Sequence, residues 1–259
     1  MRAAGSLLIV AAVLAGAPSG GSFAQTNAVT PAILKVKVLR TYPHDAQAFT
    51  QGLIWRDGIL YESTGLVGRS SLRKVDLVSG AVKQQVPVVA PYFAEGLADV
   101  GNRLFQLTWQ HGRVFVYDKN TFNRVGEMAY QGEGWGLCHD GRSLVMSNGG
   151  DSLTVRDPGT FAVTRTVQVT ENGRPLPRLN ELECVGTDVY ANVWTTDTIV
   201  RIDMPTGRVT AKIDAAGLLQ PAERLGADVL NGIAYDPADR TFLITGKLWP
   251  KLFRVTFLP

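Results

Sequence analysis

The stretch Phe93-Ala94-Glu95-Gly96-Leu97 recurs in altered form about every 40 to 50 residues. Its other copies are Phe49-Thr50-Gln51-Gly52-Leu53, Gly134-Trp135-Gly136-Leu137, Asn180-Glu181-Leu182-Glu183 and Leu230-Asn231-Gly232-Ile233. With Gln51, Glu95, Trp135, Glu181 and Asn231 as anchors, the spacings are 44, 40, 46 and 50. Each anchor opens a short apolar run that ends in turn residues such as Asp57-Gly58, Gly101-Asn102 or Asp140-Gly141. A second β-rich run follows, as in Leu104-Phe105-Gln106-Leu107, and then a third with period-two alternation, as in Val114-Phe115-Val116-Tyr117-Asp118. A fourth, such as Arg165-Thr166-Val167-Gln168-Val169, completes the unit.

Four antiparallel strands per unit of about 45 residues predict the blade of a β-propeller, and five units predict five blades in an all-β chain. The last unit stops after its third strand, Leu252-Phe253-Arg254-Val255, while an unassigned strand, Ile33 to Val38, precedes the first unit. Pairing the two would complete the last blade, close the ring and remove two exposed sheet edges.

Strands that run up and down about a central channel place each anchor on the same face as the residue about 14 positions later. One channel mouth is therefore expected to collect Phe49, Gln51, Glu95, Trp109, Trp135, Asn180, Glu181, Trp194, Asn231 and Lys247. Aromatic walls with a few converging polar groups make a small-ligand pocket, although Trp at a strand end can also fill a gap between blades. Partly desolvated beside Trp rings, Glu95 would have its pKa raised towards the range useful for proton transfer. The bland alternative for Glu95 is a turn cap or an ion-pair partner. Glu181 and Glu183, two apart on one strand, are read as structural. The glycine-rich Gly132-Glu133-Gly134-Trp135-Gly136 opens a strand rather than a helix, so it is not a phosphate cradle. His44, His111 and His139 show no metal-ligand spacing and are expected in loops.

The chain of 259 residues, 45% hydrophobic with a formal charge of +3, can bury a substantial core, and it has no Lys/Arg run of the kind nucleic-acid binding needs. Arg2, the apolar run Leu7 to Ala15 and Ser22-Phe23-Ala24 read as a leader over 1–24 that is cleaved to leave a mature domain over 25–259; an uncleaved anchor is the alternative. An exported, periplasmic or secreted monomer without stable membrane association is expected. Cys138 and Cys184 occupy equivalent slots in consecutive repeats. Such slots are usually too far apart for a bridge, so two buried free thiols are expected, a disulfide being the alternative.

Several phrases together resemble the plant and bacterial glutamine cyclotransferase family: Pro43 to Leu53, Phe93 to Leu97, Leu107-Thr108-Trp109-Gln110, Gly132 to Leu137, Leu179 to Glu183, Ala191 to Trp194, Leu230 to Asp236 and Thr245 to Pro250. They fall in order at all five repeats, from about residue 33 to the end. The resemblance implies a five-bladed propeller and glutaminyl-peptide cyclotransferase activity on peptides or proteins with an N-terminal Gln. It implies Glu95 as the acid/base, Phe49, Trp109, Trp135 and Trp194 as the aromatic wall, and Gln51, Asn180 and Lys247 as the polar substrate-holding groups. It implies no cofactor for catalysis and leaves a structural cation in the channel open. The sequence departs from the family at Ala94, often Gly, and at Cys138-His139, where Thr is common, which bears on packing.

Two other readings remain. A lactonase- or esterase-like propeller would bind a divalent metal through acidic and amide groups such as Glu95, Asn180 and Asn231, though a Trp-rich rim fits that poorly. A non-catalytic propeller would bind peptide or carbohydrate by stacking on Trp. Under the family reading, cleavage after Ala24 would expose Gln25 as a possible self-substrate.

Overall fold

A computed structural model of the chain describes Met1 and residues 30–259; the expected leader and its cleavage site lie, Met1 apart, outside the described residues. Strand β1 (Ala32–Pro43) is followed by an antiparallel sheet of β2 (Thr50–Arg56), β3 (Ile59–Thr64), β4 (Ser71–Val75) and β5 (Val82–Pro87). The next sheet holds β6 (Ala94–Val100), β7 (Arg103–Thr108), β8 (Arg113–Asp118) and β9 (Arg124–Ala129), and a third holds β10 (Leu137–His139), β11 (Leu144–Met146), β12 (Ser152–Arg156) and β13 (Val163–Gln168). A small hairpin, β14 (Thr170–Glu171) and β15 (Arg174–Pro175), leads to β16 (Leu179–Val185), β17 (Asp188–Val193), β18 (Thr198–Asp203) and β19 (Arg208–Asp214). The chain ends with β20 (Leu230–Asp236), β21 (Thr241–Gly246) and β22 (Lys251–Leu258). A 3-10 turn at Pro221–Arg224 is the only helix among the described residues, so the fold is all-β.

β1 pairs antiparallel with β22, Pro43 facing Lys251 and Lys35 facing Leu258, and so takes the fourth place beside β20–β22. The start of β1 also pairs parallel with β19, Ala32 facing Ala211. That second pairing, which the repeat does not foretell, fuses two four-strand groups, and with the β14–β15 hairpin on β19 they form one ten-stranded sheet.

The fourth strand of each group is its least buried. β2, β6 and β16 are fully buried over their first five residues, whereas β5 and β9 alternate between half-buried and exposed. These inner strands pack in sequence: β2 against β6, β6 against β10, β10 against β16, β16 against β20, and β20 back against β2. Apolar side chains fill the space between successive groups. Ile54, Tyr61 and Leu72 meet Leu97, Leu104 and Phe115, for example, and Leu53 and Leu60 meet Ala234, Leu243 and Leu252.

The glycine beside the anchor lets the inner strands meet backbone to backbone. A Cβ on Gly96 would lie 2.5 Å from the amide nitrogen of Leu137, and one on Gly136 would lie 2.0 Å from the carbonyl oxygen of Asn180. Neither approach tolerates a side chain. In the fourth repeat Leu182 replaces this glycine, and there the buried Glu181 carboxylate accepts the amides of Leu53 (3.2 Å) and Ile233 (2.8 Å), tying β16 to both β2 and β20. Glu183 accepts the Tyr235 amide at 3.1 Å, and burial pushes its carboxyl up to about 8. Both glutamates thus brace backbone.

This close approach overturns the expectation of free thiols. Cys138 on β10 and Cys184 on β16 form a disulfide with a Cα–Cα distance of 5.5 Å. Equivalent slots are bridgeable here because Gly136 removes the side chain that would hold β10 and β16 apart.

His44 sits in a loop, as expected, but is buried; His139 lies in β10 rather than in a loop. His44 Nδ1 donates to the Trp249 carbonyl (2.7 Å), Nε2 donates to Glu62 (3.0 Å), and the His44 amide donates to the Pro250 carbonyl. With both ring nitrogens facing acceptors, His44 is an imidazolium. Burial opposes that charge, but Glu62 outweighs it and raises the His44 pKa; Glu62 is in turn held low, against burial, by His44, Arg73 and Thr50.

Two predictions follow from these contacts. The disulfide closes a loop spanning 46 residues, so replacing both cysteines with serine should cost about 4 kcal/mol on the chain-entropy account, measured as denaturant unfolding with and without reductant. The His44 contribution is complete below its unfolded pKa and lost as pH rises through its raised folded value, while that of Glu62 is lost as pH falls through its lowered one. His44→Ala should therefore cost about 3–5 kcal/mol between roughly pH 5 and 6, with the cost shrinking towards alkaline pH in urea titrations.

Candidate active site

The anchors do not sit in regular strand. The β2–β3 ladder slips by one residue between Thr50 and Gly52, β6–β7 between Ala94 and Leu97, β16–β17 between Leu179 and Leu182, and β20–β21 between Leu230 and Ile233. Each slip is a bulge on the inner strand, the device that re-aims a side chain out of the pleat. It frees Gln51, Glu95, Asn180 and Asn231 from the alternation. Trp135 stands just before the short β10.

The bulged residues and the loop residues beside them enclose a cavity of about 360 Å³, lined by Phe49, Gln51, Phe93, Glu95, Trp109, Trp135, Asn180, Trp194, Thr195, Asp228, Val229 and Lys247. All eight site residues expected from the sequence lie on it. Glu181 and Asn231, which were expected at the same mouth, lie below the lining, where Glu181 braces backbone and Asn231 supports Gln51.

Glu95 is 5% exposed and takes a hydrogen bond from Gln51 Nε2 at 3.1 Å. The oxygen of Gln51 accepts from Asn231 Nδ2 (3.1 Å), which also donates to the Thr50 carbonyl. A fixed amide relay therefore holds one carboxyl oxygen. Burial pushes the Glu95 pKa well above the ordinary carboxylate range; the Lys247 ammonium pulls it back in part, and the charge of Glu133 adds to the rise. Lys247, 6% exposed, lies 4.8 Å from the Phe49 ring centroid. Burial lowers its pKa, opposed by Glu95 and Asp228. Lys251, its neighbour in sequence, pairs with Glu223 outside the pocket. Asn180 presents a buried side-chain oxygen with no hydrogen-bond partner, an unmet acceptor on the lining.

The walls are aromatic. Phe49 meets Phe93 edge-on at 6.0 Å between centroids, Phe93 meets Trp109 at 5.8 Å, and Trp135 meets Trp194 at 5.4 Å. Trp194, 39% exposed, forms the outer lip. Phe93, Thr195, Asp228 and Val229 also line the cavity, although the sequence did not mark them as site residues. A signal for Phe93 existed in Gly65, where a Cβ would fall 2.3 Å from the Phe93 ring. Gly149 likewise leaves room for Trp135, a Cβ there lying 2.7 Å from its ring. Among the described residues no three His, Cys, Asp or Glu side chains are grouped to hold a metal ion.

The class this defines is an all-β protein whose bulged inner strands deliver a buried acid to the floor of an aromatic pocket. Residues 8–257 match the glutamine cyclotransferase family. Over 246 residues, 93% of this chain and 75% of the relative, the chain is 41% identical to a glutaminyl-peptide cyclotransferase of Arabidopsis thaliana. It is similar to the crystal structure of Myxococcus xanthus glutaminyl cyclase with a TM-score of 0.80 and 41% identity, covering 88% of this chain and 98% of that one. The chain belongs to the glutamine cyclotransferase family.

Because the folded state disfavours the Glu95 carboxylate, Glu95→Gln should raise the unfolding midpoint at neutral pH. The gain should vanish as pH falls towards the ordinary Glu pKa, about 4.3, in calorimetric scans across pH.

Proposed function

We propose that the protein is a glutaminyl-peptide cyclotransferase that converts an N-terminal Gln to pyroglutamate, with Glu95 as the acid/base. The observation that carries this is a carboxyl of raised pKa, fixed by Gln51 and buried beneath aromatic walls, in a member of this family. A stacking site for binding alone needs no buried acid.

The Gln side chain enters between the rings. Its α-nitrogen attacks the side-chain carbonyl carbon, forming the lactam C–N bond, and the bond to the amide nitrogen breaks to release ammonia. The Glu95 carboxylate takes one proton from the attacking amine and delivers it to the leaving nitrogen, so the enzyme returns to its starting state. Lys247 supplies positive charge for the oxyanion that forms between the two steps. The unmet oxygen of Asn180 accepts an N–H of the substrate. Holding amine and amide together replaces freedom that the free peptide would have to lose.

The wider reading follows the same support. We infer that the four-stranded groups are five blades of a closed ring, with β1 completing the last; the circuit of inner-strand contacts from β2 through β20 and back supports this. The pocket is complete within one chain, in keeping with a monomer. The Cys138–Cys184 disulfide favours a chain that works outside the cytoplasm, where such bridges persist; a leader cleaved to leave a mature chain from near Gln25 would deliver it there.

Incubation with a Gln-initiated peptide should release ammonia at a rate indifferent to EDTA, and an inactive wild type would sink the proposal. Glu95→Gln should lower kcat by about 10²–10⁴-fold. The acid limb of wild-type kcat should lie well above the ordinary carboxylate range. Trp194→Ala should raise KM about tenfold, the loss of one aromatic contact, without lowering the unfolding midpoint.

A further inference from the structure

The glycine-rich stretch Gly132-Glu133-Gly134-Trp135-Gly136 binds no phosphate on the reading above, and its acidic residue does not line the pocket. Its geometry is nevertheless specific. A Cβ on Gly134 would come within 2.3 Å of the Tyr130 hydroxyl, so glycine there lets the loop run hard against Tyr130. The Gly134 amide donates to the Trp109 carbonyl at 2.9 Å. The Glu133 carboxylate is thereby delivered between two rings. Oε2 accepts the indole N–H of Trp109 (2.9 Å) and that of Trp135 (3.0 Å), while Oε1 accepts from Gln110 (3.0 Å).

The aromatic wall is built as two runs, Phe49–Phe93–Trp109 and Trp135–Trp194. The junction between them is this carboxylate. A partly buried indole N–H needs an acceptor to hold its ring in one orientation, and one oxygen here serves two rings from loops that flank separate sheets. The three donors that hold Glu133 are neutral, so its charge stays uncompensated at close range. Hydrogen bonds from Gln110, Trp135 and Trp109 hold its pKa below the usual carboxylate value despite burial, and it is ionised at neutral pH. The Gly96 amide, next in the chain to Glu95, donates to the Trp135 carbonyl at 2.7 Å, which seats the Glu133 loop beside Glu95; the charged groups acting on Glu95 are Lys247 and Glu133.

Resting on the cyclotransferase reading, we propose that Glu133 is a positioning residue with two separable actions: its oxygen clamps Trp109 and Trp135 into one substrate-facing wall, and its charge acts through space on the proton that Glu95 transfers. The ligand chemistry remains the planar amide of an N-terminal Gln; Glu133 fixes the slot that receives it.

Two substitutions separate the actions. Glu133→Gln keeps an oxygen for the indoles and removes the charge. It should move the acid limb of kcat to lower pH by about half a unit, the scale of one screened charge, and leave KM within about twofold. Glu133→Ala removes both, so the limb should move equally and KM should rise about tenfold. A purely structural role would not move the limb in Glu133→Gln, and an unmoved limb overturns the charge action. An Ala variant that folds with unchanged KM overturns the clamp. Should Glu133→Ala fail to fold, the Gln variant still decides the charge action, and its indole N–H resonances decide the clamp, because Trp109 and Trp135 should keep slow exchange only if an acceptor remains. If the wild type forms no pyroglutamate, the function proposed above fails separately. The Glu133 proposal is then read by NMR alone, from the titration of the Glu95 carboxyl carbon and from those two indole signals. If neither responds to substitution at Glu133, the proposal is wrong.

Discussion

The structure depends on how closely its inner strands can approach one another. Sheets normally pack about 10 Å apart through their side chains, but β6, β10 and β16 meet at points where backbone touches backbone. Gly96 and Gly136 make those contacts possible, since a methyl group at either would penetrate the neighbouring strand. Where the glycine gives way to Leu182, a carboxylate does the joining, and Glu181 holds amides on β2 and β20 at once. A buried carboxyl is costly unless its hydrogen bonds are met. Two backbone donors offset part of that cost for Glu181, but burial and the neighbouring Glu183 still hold its pKa well above the ordinary carboxylate range.

The site inherits its geometry from this packing. Strands forced together at their ends cannot keep a regular ladder, and the extra residue on each of β2, β6, β16 and β20 appears at the anchor. A bulge breaks the in-and-out alternation, so polar side chains that would otherwise be trapped between sheets turn towards the cavity. Gln51, Glu95 and Asn180 therefore share one floor although they come from different sheets. The buried acid is the expense of this arrangement: it lowers stability at neutral pH and raises reactivity, a trade that recurs at functional sites.

Much of this is written in the spacing of the chain. Placing Phe49, Glu95, Trp135 and Lys247 at one mouth required only the repeat length and the up-and-down course of the strands. What stayed hidden depended on distances that periodicity does not carry. The proximity of Cys138 and Cys184 follows from the absent side chain of Gly136, and the general separation of repeats argued the other way. Phe93 stood in the repeated phrase, but its place in the wall shows only in the structure, as the ring that requires Gly65 to have no side chain. His44 has no ligand spacing, and its burial follows from packing against Trp249, more than 200 residues away. Glu133 sat inside a glycine run whose glycines serve the contact with Tyr130 and the clamp on two indoles.

β1 and β22, the first and last strands of the described residues, pair with each other. The loop after β1 carries Phe49, and the loop before β22 carries Lys247, whose ammonium lies against the Phe49 ring. One wall of the pocket is thus a seam between the two ends of the chain, with the Leu248 amide bonded to the Ala48 carbonyl. The wall is therefore held by a pairing between distant parts of the chain: anything that loosens β1 from β22 frees the loops bearing Phe49 and Lys247 to move apart.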